Sequence, residues 1–526
     1  MSTSTEGDKD KKQNLAPLLD KMKEAIWNRR PILGEIMKKH SNKILYDYSK
    51  DFIDINPTPH LDNRKKELIK TAEYLIKNRL GENISKEIAT QLTKLPLVST
   101  ADHHAPIDNP FWINSNIISS LPLIENTDPD YKYLVVFSFA SVSCNNASGF
   151  PRGIEFHGGS RGSGKYIRLP ILPDKTKMGV VYGMRAFCKD DLEKAKTLLE
   201  KKIHERDVEK ERGEKITEIL NKYFENKDVL SAPDLQSQIT KINYLLWPQL
   251  FHKAKNGKTE LDKKIPDLIY LEIETLVTEL LINHHLKDPK SLIYKLFFDK
   301  RYQELIAKDF NNLPGAFSLE EEWGTYMFWG ICENHHRVRL ELKNGKLSSK
   351  KDIYQHEFTP EGVEKSLREK QIFPSMILCY LIISLYYGMK CLGGFCQVHD
   401  LTLAKKAWIK ILEKLGQTEE AKGVEPIQTK ELGGDGMVLS YLKTHTGEYS
   451  SATGIDMILA TCDTSYENYA NLAKKVSMME IMNAILPEMY TVLYRSDERH
   501  PSLTQISHNE ILKETGLAEK LANEEM

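Results

Sequence analysis

The sequence predicts an α/β protein, a mixed sheet core with extensive helical additions and a charged helical arm, and three observations predict it. First, short apolar runs crowd one stretch: LPLVST (95–100), YLVVFSFA (133–140), GIEFHG (153–158), KYIRLPIL (165–172) and MGVVYGMRAF (178–187). Runs of this length bounded by Gly, Pro, Asn and Ser read as strands. Second, one helix-length segment separates the first two, as in an α/β layer. Third, apolar residues three and four apart dominate the sequence on either side, the period of helices.

Taken in order, residues 1–14 (MSTSTEGDKDKKQN) are polar, with acids among the lysines, and read as a disordered leader, neither secretory signal nor transit peptide. Residues 15–94 form a helical lead-in: LLDKMKEAIW, ILGEIMKKHSNKI and KELIKTAEYLIKNRL each carry the helical period, and Pro31, Pro57 and Pro59 break it. Residues 95–188 are the α/β core with its loops. Residues 189–228 are dense in Lys and Glu, with Leu192, Ala195, Leu198, Ile216, Ile219, Leu220 and Phe224 as an apolar stripe, so a solvent-washed helix or helical hairpin is expected. Residues 229–526 are mostly helical and complete the core, with VRLEL (338–342) and MVLSYL (437–442) as further strand candidates. Between Lys370 and Lys390 lie nineteen uncharged residues, long enough to span a bilayer. Pro374, Ser384 and Gly388 interrupt them, and a central core helix is the expectation.

Composition narrows the function classes. A chain of 526 residues suggests two to four domains. Lys+Arg 73 against Asp+Glu 74 leaves no global field for nucleic acid or an anionic membrane, so a small-molecule substrate is the expected partner. Seven cysteines without a Cys-x-x-Cys pair argue against a disulfide framework and fit a reducing cytoplasm.

The chemistry concentrates where the first two strands end, because ligands of open α/β sheets sit outside the carboxyl ends of strands. The first loop carries Asp102, His103 and His104, then Asn109 and, further on, Asn116. His103 or His104 is a candidate general acid or base near neutral pH, with Asp102 beside them. Neighbouring residues of a strand point to opposite faces, so both histidines rarely serve one ion. The triplet also looks like the signature of the DHH phosphoesterases, but the helical sequence before it lacks the required Asp-x-Asp. The second loop offers Ser141, Ser143, Cys144, Asn145, Asn146, Ser148 and Arg152. Asn145 and Asn146 are candidate substrate contacts and Arg152 a candidate anion clamp, while a turn-rich loop that satisfies its own backbone reads the same way. Gly159–Lys165 has the GxxxxGK spacing, yet the following YIRLPIL reads as strand where a phosphate loop needs a helix. Downstream, Gly393, Gly394 and Gln397 suit backbone approach to a phosphate, and Gly433-Gly434-Asp435-Gly436 forms a further glycine cluster.

The order strand, Ser99-Thr100 through Pro110, helix, strand Leu134–Phe139, then Phe373-Pro374 through Gly393-Gly394-Phe395-Cys396-Gln397 resembles the cysteine-adding enzymes of bacillithiol synthesis. That resemblance implies a Rossmann-like core, a coiled coil, a bound nucleotide such as ATP or ADP, and chemistry joining an amino acid to a sugar conjugate. Where that family shows Gly-Gln-Gln after the Thr, this chain has Ala-Asp-His-His. The sequence reading is therefore a cytoplasmic ligase or group transferase for a small anionic metabolite or nucleotide. Two alternatives stand beside it: a metal-dependent hydrolase using Asp102, His103, His104 and His157 or His399, and a noncatalytic interaction protein using the charged arm.

Overall fold

Four apolar runs form one parallel sheet: β1 (Leu97–Ser99), β2 (Tyr133–Ser138), β3 (Asp267–Glu272) and β4 (Lys390–Leu392), in the order β4-β1-β2-β3. The computed structural model describes residues 15–126, 128–159, 165–251, 261–443, 447–461 and 463–521; the leader and the centre of the GxxxxGK segment lie outside them. Side chains alternate across each strand. Leu134 and Val136 of β2 join Leu268 and Tyr270 of β3 in one core, whereas Val135, Phe137, Ile269 and Leu271 face a second. Both faces are covered, as a parallel sheet requires, and each large aliphatic side chain so buried is worth roughly 1.5–3 kcal/mol.

The covering helices follow the chain's direction. The helix after β1, α1 (Pro110–Glu125), shares the first core with α2 (Leu235–Leu246). The helix after β4, α3 (Gln397–Lys414), packs mainly in the second with Asp62–Leu80 and Glu82–Lys94. Neighbouring strands β1 and β4 therefore send their exits to opposite faces, which opens a crevice at the carboxyl edge between them.

Several expectations change. Residues 178–187 form no strand; only the single bridges at Val180 and Arg185 pair there, because Gly179 and Gly183 turn the chain. The 371–389 segment is not one helix. Ile372–Pro374 pairs with Phe328–Ile331, Ser375 caps a short helix at Met376, and the following π-helical turn ends before Gly388, at φ 75°. No described helix is long and apolar enough to cross a membrane. VRLEL splits between two small sheets, and of MVLSYL only the end joins a strand, Tyr441–Lys443. GIEFH and YIRLP form an antiparallel hairpin, so strands flank the GxxxxGK segment on both sides and a phosphate loop is excluded. The charged stretch folds into helices Lys189–His204 and Lys210–Ile219; of its stripe, Leu192, Ala195, Ile216, Ile219, Leu220 and Phe224 are buried in the core shared with α2 and Leu198 is partly buried against it.

One ion pair ties the layers together. Arg79, from the Asp62–Leu80 helix, reaches Glu272 at the end of β3 with both terminal nitrogens, and the two side chains are 8% and 1% exposed. Removing one partner strands a buried charge, so Arg79→Met should destabilise the fold by about 3–5 kcal/mol. Denaturant unfolding checks this, and the double variant Arg79→Met/Glu272→Leu should recover much of the loss.

Candidate functional site

A cavity of about 290 Å³ occupies the crevice between β1 and β4. Thr100, Ala101 and His103 reach it from β1, and Gly394–Gln397 and Asp400 from β4 and the start of α3. Its walls are aromatic: Phe111 and Trp112 from α1, Phe139 after β2, Tyr380 and Phe395. Asp435, Ile485 and residues of the helix α4 (Leu486–Leu493), among them Glu488, close it.

The period of two decides the histidines. The chain after β1 keeps pairing with β2: the Phe139 N–H donates to Asp102 O at 2.9 Å and the His104 N–H to Phe139 O at 2.8 Å. His103 consequently faces the cavity and His104 the interior. Nδ1 of His103 donates to the Ser148 carbonyl at 2.9 Å, a tautomer assigned because a carbonyl only accepts, and the Asn146 side chain is a further partner. Burial keeps this imidazole neutral by lowering its pKa. His104 is fully buried, with Ser138 Oγ at 2.7 Å from Nδ1 and the Gln236 carbonyl at 2.9 Å from Nε2. Its ring is committed to positioning β2 against α2, which removes it as a catalytic group.

Asp102 lies beneath the cavity rather than on its lining. Its Oδ2 accepts from the Asn116 amide at 2.7 Å and from the Tyr270 hydroxyl, and burial pushes its carboxyl up to about 7. Asn116 is thereby a structural partner and not a substrate contact. Asn109 caps α1 through the Phe111 N–H at 3.1 Å. Asn145 is exposed and off the lining. Arg152 is also absent from it: its guanidinium, 2% exposed, bonds Asp174 at 2.7 Å in a separate groove. The expected clamp therefore does not face this cavity. Cys144 is buried, and burial pushes its thiol up to about 12, far from a thiolate nucleophile. His335 turns to the Tyr182 carbonyl at 2.9 Å, and the ring nitrogens of His285 are held by Ser291 and Tyr387.

The residues that sequence reasoning left without a role are acids. Asp400 and Asp435 are 6% and 9% exposed, and burial pushes both carboxyls up to about 6. Glu488 sits at the solvent-washed rim, where burial against the wall and Asp435 raise it; water screens it, so its shift weighs less. Gly394 makes this packing possible, since a Cβ there would lie 2.5 Å from Asp435 Oδ2. That same oxygen accepts the Phe395 N–H at 3.2 Å, and the Gly393 N–H is taken by the Glu431 carbonyl. Gln397 donates to Thr100 Oγ1 at 2.6 Å, which leaves its own Oε1, like Asp400 Oδ1, buried without a donor.

No Lys or Arg is among the described lining residues, and Asp435 fills the position where the Gly-Gly corner was expected to meet a phosphate. The donor set therefore does not fit the phosphates of ATP or ADP. Nor do Asp102, His103 and His104 converge on one point, and no group of three or more His, Cys, Asp or Glu among the described residues is arranged to hold a metal. His157 pairs with Asp456 at 2.6 Å, and His399 does not line the cavity. What fold and site define together is an α/β protein with an acidic, aromatic-walled pocket at the reversal of its strand order. Neither the protein-family models nor the characterised proteins compared with this chain match it.

Raised carboxyls make stability depend on pH. The folded chain still holds protons at Asp400 and Asp435 that the unfolded chain releases near pH 4 (about 3.9 for Asp). This contribution is complete below that pH and is lost as pH rises through about 6. Asp435→Asn should therefore raise Tm relative to the parent chain above neutrality and not at pH 4.5, in a melting series across that range; an identical pH profile for both proteins would contradict these assignments.

Proposed function

We propose that this chain is an enzyme that binds a small organic amine in the crevice cavity and prepares its nitrogen for group transfer. The carrying observation is the mismatch of polar partners: buried acceptors without donors, two buried carboxyls and a third at the rim, and no cation among the described lining residues. A ligand that complements them donates hydrogen bonds and brings positive charge, while its apolar body meets Phe111, Trp112, Phe139 and Tyr380. An ammonium over aromatic faces gains further attraction.

The pocket also supports a reaction type. The bound ammonium first gives one proton to Asp400, Asp435 or neutral His103, which frees the nitrogen lone pair; the nitrogen then bonds to an acceptor, turns acidic and gives a second proton to another of these groups, and the acceptor's leaving group departs with the bonding electrons. Carboxyls near 6 are suited to take such a proton at neutral pH. This is the chemistry of a group transferase or ligase, the class that the resemblance to the cysteine-adding enzymes of bacillithiol synthesis implies. The strand order with helices on both faces supports a Rossmann-like core. Free thiols at Cys144, Cys379 and Cys391 support a reducing compartment such as the cytoplasm.

Three probes of similar shape separate the ligand classes: benzylamine, benzyl alcohol and benzoate. Benzylamine should raise Tm and benzoate should not. Its affinity should increase from about pH 5 to about pH 8, because the carboxyls ionise over that range while the amine stays charged. Asp400→Asn and Asp435→Asn should each weaken it about thirtyfold or more, since a lost buried charge partner costs about 2 kcal/mol or more. Equal stabilisation by benzoate would reject the reading.

A further inference from the structure

Away from the cavity, a groove of about 400 Å³ runs between the end of the second hairpin strand and the Lys189–His204 helix. It shares no lining residue with the cavity. Its charge has the opposite sign. Arg152, Lys175, Arg185 and Lys194 face Asp174 and Asp191, and Asp191 is already neutralised by Arg185 at 2.7 and 3.1 Å. Lys175 and Lys194 are exposed and make no ion pair among the described residues.

The floor is Arg152. Its side chain is 2% exposed, yet Nε and Nη1 have no hydrogen-bond partner and only Nη2 is engaged, by Asp174 Oδ1 at 2.7 Å. Nη2 is therefore the nitrogen through which this buried charge meets the groove, and a single carboxylate is all that compensates it. The single carboxylate that it has is itself 72% exposed, on a short turn that Lys177 also holds at 2.8 Å. Little burial keeps Asp174 in place, and an incoming anion can replace it.

We propose that this groove is a binding site for a small phosphate-bearing metabolite, with Asp174 occupying the anion position in the ligand-free chain. The phosphate takes over Nη2 of Arg152, while Lys175 and Lys194 close on its remaining oxygens, two positive charges for a dianion. Asp174 then turns to solvent with Lys177.

The test is calorimetric titration of the full chain with inorganic phosphate at constant ionic strength, with acetate as the carboxylate arm. Phosphate should bind and acetate should not. Asp174→Asn should tighten phosphate about fivefold, because it removes the competing carboxylate, and Lys175→Gln/Lys194→Gln should weaken it about tenfold. These substitutions lie on exposed side chains, so the fold is kept where Arg152→Gln would endanger it. A merely structural Arg152–Asp174 pair predicts the reverse for Asp174→Asn, a lower Tm and no gain in phosphate affinity; that result, or acetate binding as well as phosphate, overturns the proposal.

Discussion

Everything at the site depends on β1 pairing in parallel with β4. The contact is made at Thr100, whose N–H donates to the Leu392 carbonyl at 2.8 Å while its hydroxyl meets the same oxygen at 3.2 Å, across 292 residues of chain. Because β1 leads to α1 on one face and β4 to α3 on the other, nothing in the chain's own path fills the gap between the two exits. The same gap cannot form between β1 and β2, where the polypeptide continues the ladder through Asp102–His104. Closing so long a loop before any contact rewards it is slow, and the sheet edge that makes the pocket is expected to form late in folding.

That crevice then gathers buried acids with no cation among the described residues that line it. Some buried acids are ion-paired, as at Arg79–Glu272 or at Asp456, whose carboxyl is held down to about 2, against the cost of burial, by His157 and Arg212. Asp400 and Asp435 have no such partner: Arg30 acts on Asp400 from outside the lining, and a single backbone N–H serves Asp435. Their burial therefore works against folding, and a cationic ligand would relieve it. Buried carboxyls without an ion-pair partner that line a concavity are a physical mark of a binding site.

Local physics was legible in the sequence wherever one segment decided the outcome. Strands β1 and β2, the hairpin and the helices of residues 15–94 follow from apolar period and from Gly and Pro punctuation. The opposite orientation of His103 and His104 followed from strand geometry alone. Strands β3 and β4 were harder: DLIYLE runs directly into a helix with the same apolar density, and Lys390–Leu392 is three residues inside a long uncharged stretch. Asp435 was visible between Gly434 and Gly436, both at positive φ (86° and 77°), yet its partner Gly394 lies far off in the sequence, and nothing local says that they touch. Arg152 was singled out as a candidate anion clamp, but its loop alone could not tell which concavity it would face.

The second loop resolves that ambiguity by serving both concavities. Its base is fixed by Glu274, which follows β3 and accepts the N–H groups of Ala140 and Ser141, each at 2.9 Å; burial pushes this carboxyl up to about 7 in spite of those bonds. From that anchor the chain sends Asn146 and Ser148 to hold His103 at the cavity, then turns through Pro151 and delivers Arg152 to the groove. Only Gly149, Phe150 and Pro151 separate Ser148, whose carbonyl orients the imidazole, from Arg152, whose guanidinium lies under the groove. Since the two concavities share no side chain, this short connection is the direct covalent route between them. The Arg152 N–H also donates to the Cys144 carbonyl at 3.2 Å, which ties the residue under the groove back into the same loop that orients His103.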